Sequence, residues 1–267
     1  MQRILITGAN KGIGFATAKA ILEHSDQTYV VLGSRDHDRG QAAVESLRQL
    51  FPDSDWRIAH LNIDVSSDAS VQAAREAVAA SFDEETPLYG VVNNAGIGLG
   101  SADMRGVVNV NTLGVKRVCD AFLPLLPDGG RVVNVASASG PRFVSECSTE
   151  RQSFFQDSSI EWPAIQSLVD EVLALGDNTG GFHDLGLEPH NAYGFSKACV
   201  ALYTMLLARE HPRLVVNACT PGYIETDLTR PTAASRGVAP ADMGMKSPEH
   251  GTVAILHLLF GQPHGSG

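Results

Sequence analysis

The chain has 267 residues, 43% of them apolar, and a formal net charge of −10. That length fits one large domain or two small ones and buries a core without disulfide staples, while the acidic balance argues against nucleic acid as a partner, because such proteins carry basic patches. Four scattered cysteines, Cys119, Cys147, Cys199 and Cys219, show neither CxxC nor Cys/His metal spacing, so no metal site is indicated and reduced thiols are expected. The absence of any run of about 18 apolar residues predicts no membrane span. The N-terminus enters a strand without a basic-then-apolar leader, which predicts a cytoplasmic location.

In chain order, residues 4–7 form a short apolar run that enters a glycine-rich turn. Residues 14–24 follow with Phe15, Ala18, Ile21 and Leu22 at helical spacing, and 29–32 read as a second strand. A helix is predicted over 39–50, its face set by Ala43, Leu47 and Leu50 and its end by Pro52. Residues 56–62 predict a third strand, 67–82 a third helix, 88–93 a fourth strand, 104–126 one long helix and 131–135 a fifth strand. Residues 192–210 give another helix and 214–219 a sixth strand. A last helix spans 248–259, with Ser247 as N-cap before Pro248. This alternation predicts right-handed βαβ crossovers and an α/β fold: a Rossmann-like doubly wound parallel sheet with helices on both faces. Continuous apolar strands such as Val91-Val92 and Val132-Val133 suit a sheet covered on both sides. The whole chain, 1–267, reads as a single domain.

Two departures interrupt the rhythm. Residues 144–190 intrude between the fifth strand and the helix at 192. They are polar at first and then helical over 163–175, which is too long for plain loop. After the last helix the chain runs to Gly265-Ser266-Gly267, so no closing strand is predicted.

Two motifs carry chemistry. Thr7-Gly8-Ala9-Asn10-Lys11-Gly12-Ile13-Gly14 lies between a strand and a helix, where glycines permit a tight turn and bring backbone N–H groups to a pyrophosphate at a helix N-terminus. Tyr193-Gly194-Phe195-Ser196-Lys197 puts a phenol and an ammonium one helical turn apart on one face. A free phenol, with pKa near ~10, exchanges its proton poorly at neutral pH, and a nearby cation favours the phenolate. Lys197 is therefore expected to lower the Tyr193 pKa. Ser137, after the fifth strand, is placed to hydrogen-bond a substrate carbonyl, with Ser139 the alternative that only geometry decides.

These residues, with Asn93-Asn94-Ala95-Gly96 after the fourth strand, Asp64-Val65 after the third, Asn111 in the long helix, and Pro221-Gly222 and Thr226 after the sixth, resemble the short-chain dehydrogenase/reductase family over nearly the whole chain. Within it the chain looks most like the monomeric NADPH-dependent carbonyl reductases, on the Asn10-Lys11 turn, Ser34-Arg35-Asp36 after the second strand, and the 56 positions that separate Ser137 from Tyr193. The resemblance implies reduction of a ketone, aldehyde or quinone to an alcohol by hydride transfer from NADPH. It implies Tyr193 as proton donor, Lys197 as its cationic partner, and Asn111 as holder of a water in a proton relay to Lys197. It selects Ser137, because the family's serine stands three residues before a glycine, here Gly140. An amide that merely satisfies a bent helix is the competing role for Asn111.

For the cofactor, Gly8, Asn10, Lys11, Gly12, Ile13 and Gly14 would hold the pyrophosphate. Asp64 and Val65 would flank the adenine, Asn93, Ala95 and Gly96 the ribose and phosphates, and Pro221, Gly222 and Thr226 the nicotinamide side. An NAD enzyme would place an acid at the end of the second strand. Ser34 stands there, so Arg35 and Lys11 are expected to clamp the 2′-phosphate of NADP, with Asp36 as a helix cap. His183 and His190 read as solvated loop residues, and Trp162 and Phe182 as either pocket lining or packing. The insertion's Ile165, Leu168, Val172 and Leu175 form a stripe suited to covering the helix faces that relatives without an insertion use to dimerise, which predicts a monomer. The alternative reading is a catalytically silent dinucleotide-binding protein that acts through a partner.

Overall fold

The computed structural model describes residues 1–267 except 83–84, 99–102, 177 and 188–190. Six strands form one parallel sheet: β1 (Gln2–Ile6), β2 (Thr28–Ser34), β3 (Ile58–Asn62), β4 (Gly90–Asn93), β5 (Arg131–Val135) and β6 (Val215–Cys219). Their order, β3-β2-β1-β4-β5-β6, is that of a doubly wound sheet. The chain leaves β1 for β2 on one side and returns to β4 on the other. The crevice of such a sheet opens at this reversal, beyond the carboxyl ends of β1 and β4.

Alternate side chains point to opposite faces of a strand, and both faces here are covered. Ile4, Ile6, Val30, Leu32, Val92 and Val133 pack under α1 (Gly12–His24), α2 (His37–Leu50) and the C-terminal helix Thr252–Phe260. Leu5, Val31, Val91, Val132 and Val216 pack on the other face under α3 (Asp68–Ser81), α4 (Met104–Val108), α5 (Gly114–Phe122) and the helix Ala192–Glu210. A tightly held arginine closes the turn from α1 to β2. The Arg57 guanidinium is 2% exposed and donates to the carbonyls of Leu22, Ser25 and Thr28.

Several local expectations need correction. The strand predicted from residue 56 starts at Ile58, because Pro52 begins a 3₁₀ turn, Pro52–Arg57, that leaves Trp56 exposed. Leu50, expected inward, is exposed at the last residue of α2. The long helix 104–126 is interrupted by a π-turn, Asn109–Leu113. Arg117 meets the changed backbone there and donates to the Asn109 carbonyl. Ser247 makes no capping bond, and a 3₁₀ turn, Pro248–Gly251, precedes the final helix.

The insertion holds more helix than its composition suggests: α6 (Ser139–Glu146), α7 (Thr149–Phe155), α8 (Trp162–Leu175) and α9 (Thr179–Asp184), before α10 (Ala192–Glu210). Ile165, Leu168 and Val172 are buried, and Leu175 packs at the edge of the same core. Trp162 stacks edge-on against Tyr203 of α10 and lies beneath the Lys116 ammonium of α5. Phe182 is buried in the same core, so both aromatics serve packing. His183 lies exposed in α9, and His190 falls outside the described residues. A short helix, α11 (Arg230–Ser235), follows β6, and α12 is Thr252–Phe260. The last residues run beside β6, where Gly267 N–H donates to the Val216 carbonyl.

Candidate active site

The glycine turn and the loop after β4 are stitched together. The Thr7 hydroxyl accepts from the backbone N–H of Asn94 and Ala95, both at 3.1 Å, and the Asn94 amide donates to the carbonyls of Thr7 and Gly8. Gly8, at φ +65°, leaves no room for a side chain, since a Cβ would stand 2.9 Å from Ala95 Cα. A Cβ on Gly14 would stand 2.5 Å from the Asn94 amide nitrogen. These approaches set the N-terminus of α1 at the edge of a cleft of about 610 Å³. Its donors and helix dipole favour an anion there.

Gly8, Asn10, Lys11, Gly12, Ile13, Arg35, Asp64, Val65, Ala95, Gly96 and Thr226 all border this cleft. Gly14 sits behind it as a packing residue, and Pro221 and Gly222 lie in the segment after β6 without bordering it. Asn93 is a correction. Its side chain is buried and donates to Asn134 Oδ1 at 2.8 Å, so it faces the core, and the neighbouring Asn94 reaches the cleft. Lys11, at the rim of the same cleft, pairs through its ammonium with Asp227 at 2.6 Å. The sequence reading missed Asn94, Asp227, Glu225 and Arg230 at the cleft. Asn94 was legible as the second asparagine of a motif in which only one side chain can face inward.

At the end of β2, Ser34 is buried and its hydroxyl donates to the Asp36 carbonyl and meets His60 Nε2 at 3.0 Å. Asp36 caps α2 through the Arg39 N–H. Arg35 stays exposed at the cleft, and among the described residues no carboxylate pairs with it.

The reactive cluster lies beside Gly96. Tyr193 and Lys197 stand on α10, whose start is capped by Asn191 accepting from the Gly194 N–H. Lys197 is 4% exposed; its Nζ donates to the Val135 carbonyl at 2.7 Å and lies 5.7 Å from the Tyr193 ring centroid. Ser137 stands near enough to the Tyr193 hydroxyl to oppose the rise in its pKa, and Ser139 contributes nothing there. Ser139 begins α6, and its N–H donates to Ser137 Oγ. The interval to Gly140 has a packing cause, since a Cβ there would stand 2.9 Å from the Lys197 carbonyl carbon.

Asn111 sits in the π-turn, fully buried. Its amide donates to the Ile97 carbonyl and to Ser196 Oγ, and its oxygen accepts from the Ile97 N–H. A π-turn at such a position fits the general placement of π-bulges at functional sites. A Cβ on Gly96 would be 3.5 Å from Asn111 Oδ1 and 3.8 Å from Lys197 Nζ, so this glycine borders both the cleft and the ammonium.

Burial dominates the electrostatics. It pushes the Lys197 ammonium down to about 8, partly offset by the neighbouring Cys219. It also lifts the Tyr193 phenol above its ordinary value, with the Ser137 bond opposing. Burial is thus the largest effect on the phenol in the chain itself, whereas a net lowering is expected from two positive charges together, Lys197 and an oxidised nicotinamide. The lysine shift has a consequence for stability. A base whose folded pKa lies below its unfolded value, here about 8 against 10.5, leaves the unfolded chain holding the extra proton between those values. The wild type should therefore gain stability over Lys197→Met as pH rises from 8 to 10.5, by on the order of 3 kcal/mol. Parallel urea unfolding curves at the two pH limits would contradict this if the difference between the proteins stayed constant.

Comparison with known proteins agrees with this geometry. The family model described as short chain dehydrogenase matches residues 2–148. Carbonyl reductase [NADPH] 1 of Mus musculus is 32% identical, with 98% of this chain and 92% of that protein covered. Carbonyl reductase [NADPH] 3 of Rattus norvegicus is also 32% identical, covering 98% and 93%. Among solved structures, salutaridine reductase from Papaver somniferum superposes with a TM-score of 0.79 at 24% identity, covering 98% and 96% of the two chains, which supports the fold. The chain belongs to the short-chain dehydrogenase family.

Proposed function

We propose that this protein reduces a small carbonyl compound to an alcohol with NADPH as hydride donor. The observation that carries the reading is the Ser137–Tyr193–Lys197 cluster, its ammonium buried and its partners half-buried, which Gly96 links to the cleft. The names of the relatives, carbonyl reductases that use NADPH, support the same activity.

The residues present fit the cofactor. The glycine turn borders the cleft at the α1 N-terminus, where backbone donors suit a pyrophosphate. Arg35, with no carboxylate on it among the described residues, offers a guanidinium fork for a 2′-phosphate, and the end of β2 carries the buried Ser34 where an acid would claim the ribose hydroxyls. When bound, NADPH supplies the hydride. Ser137 donates to the substrate oxygen and polarises the carbonyl. Tyr193 then gives its phenolic proton to that oxygen as the carbon is reduced. The Lys197 ammonium stabilises the phenolate left behind, more strongly in a dry site than in water. Asn111 ties the Gly96–Ile97 backbone to α10 and holds the two halves of the site in register.

Two substitutions test the assignment. Tyr193→Phe keeps the ring and its packing, so NADPH affinity should stay near wild type while kcat falls by about a hundredfold or more, as loss of a general acid requires. Turnover within tenfold of wild type would remove Tyr193 from the chemistry. Arg35→Ala should weaken NADPH about tenfold to a hundredfold, the worth of a charge-assisted phosphate bond, and leave NADH little changed. Equal loss for both dinucleotides would make Arg35 structural.

We further propose that the chain acts as a monomer, as one domain, in the cytoplasm. Trp162 and the α8 stripe already cover the α5 and α10 faces, and the four cysteines form no disulfide. Light scattering at micromolar concentration should give the mass of one chain, and a stable dimer there would overturn this.

A further inference from the structure

The backbone that presents Arg35 to the cleft is held from β3. His60 and Asn62 stand two residues apart on that strand, so their side chains share one face, and the register sets them opposite Leu32 and Ser34 of β2. The Ser34 hydroxyl has one proton and gives it to the Asp36 carbonyl at 2.7 Å, because a carbonyl only accepts. The contact of 3.0 Å between Ser34 Oγ and His60 Nε2 is therefore a bond that the imidazole donates. This chain of donors runs from His60 through Ser34 to Asp36 and spans Arg35.

The carbonyls around Arg35 are held as well. Asn62, its amide nitrogen turned toward β2, donates to the carbonyls of Ser34 and Arg35 at 3.2 and 3.0 Å. The Ser34 carbonyl also accepts from the Ile63 N–H, and the Asp36 carbonyl from the Gly40 N–H. Space for the relay comes from Gly40 in the first turn of α2, where a Cβ would stand 2.1 Å from His60 Nε2 and 2.3 Å from Ser34 Oγ. The His37 ring meets His60 edge-on at 5.2 Å, and burial with this neighbour holds the His60 imidazole below its ordinary pKa. The ring is then neutral at neutral pH, and its single N–H is the one spent on Ser34.

We propose that His60 is a positioning residue for the dinucleotide. By donating to Ser34 it fixes the Ser34–Asp36 turn from which Arg35 meets a 2′-phosphate, and so contributes to preference for the phosphorylated cofactor. This rests on the nicotinamide reading of the site and on Arg35 as the phosphate ligand. Arg35 is exposed, and ordering a long side chain on a loose turn costs affinity that a fixed turn saves.

The test measures dissociation constants for NADPH and NADH by nucleotide fluorescence in wild type, His60→Leu, His60→Gln, Ser34→Ala, Arg35→Ala and the Arg35→Ala/His60→Leu double variant. His60→Leu keeps the bulk and removes the donor. It should weaken NADPH about threefold to tenfold, the range that one hydrogen bond is worth, and change NADH less than about twofold. His60→Gln should restore NADPH affinity to within about twofold of wild type, because a glutamine amide supplies a donor in place of Nε2. Ser34→Ala breaks the same relay one step later and should repeat the loss, which keeps the test open if His60→Leu does not fold. In the Arg35→Ala background His60→Leu should cost nothing further, because the two act through one contact. Equal weakening of both dinucleotides would overturn the proposal and make the relay plain scaffold. So would an unchanged NADPH-to-NADH ratio, a His60→Gln variant no better than His60→Leu, or a full loss on top of Arg35→Ala. In each of these results wild type still binds NADPH through Arg35 and the proposed function stands. Wild type binding neither dinucleotide, or Arg35→Ala weakening both equally, would instead remove the reading of the cleft and this inference with it.

Discussion

The buried ammonium of Lys197 is the constraint around which the site is organised. A lone charge out of water is costly unless it is met by dipoles, and the Val135 carbonyl at 2.7 Å is the acceptor the fold brings to it. That carbonyl is the last of β5, so the strand must end where the helix passes. α10 must lie close enough for the ammonium to reach it, which the missing Cβ of Gly140 allows. The residual penalty is visible in the lowered pKa. Burial also excludes the water that would otherwise screen the charge from the phenol beside it, so the cost and the chemical effect share one cause.

The second constraint is the seam between β1 and β4. Parallel strands that reverse their winding direction leave a gap beyond their ends, and here Thr7 and Asn94 close its floor with four hydrogen bonds. The floor is therefore rigid where backbone donors must point at a ligand. The rim is different in kind: Lys11, Asp227, Arg230 and Glu225 are surface charges whose pairings are individually weak. A fixed floor and an exchangeable rim thus stand side by side at one cleft.

Much of this was legible in the chain because the signals were local. The alternation of apolar strands and amphipathic helices gave the sheet. The glycine turn, the Tyr193/Lys197 spacing and the Ser137–Gly140 interval placed the reactive groups on particular element ends. What escaped depended on partners distant in sequence. Asn93 and Asn94 are chemically identical, and only the strand's pleat decides which faces the cleft. The carboxylate that meets Lys11 at the rim, Asp227, stands 216 positions away. The break in the helix at residues 109–113 follows from bonds to Ile97 and Ser196, which no helical periodicity encodes. The phenol's upward shift was not legible because its largest cause is burial, a property of the packed state.

The role of Asn93 follows from the same logic of shared supports. Its amide bonds Asn134 of β5, whose own amide donates to Thr204 Oγ1 of α10, and Thr204 in turn donates to the Val200 carbonyl. This buried polar ladder crosses from β4 through β5 to α10. In an apolar interior, each bond left unmade costs more than a made bond contributes, so the ladder penalises any slide of α10 along the sheet. Thr112, donating to the Ser196 carbonyl from the π-turn, restrains the same helix from its other side. α10 carries both Tyr193 and Lys197, and the fixed point of the ladder, β4, carries the loop that meets the glycine turn. A motif asparagine whose side chain faces the core thus sets the distance between the glycine turn and Tyr193, and core polarity, ordinarily a cost, becomes the means by which the two halves of the site keep their spacing.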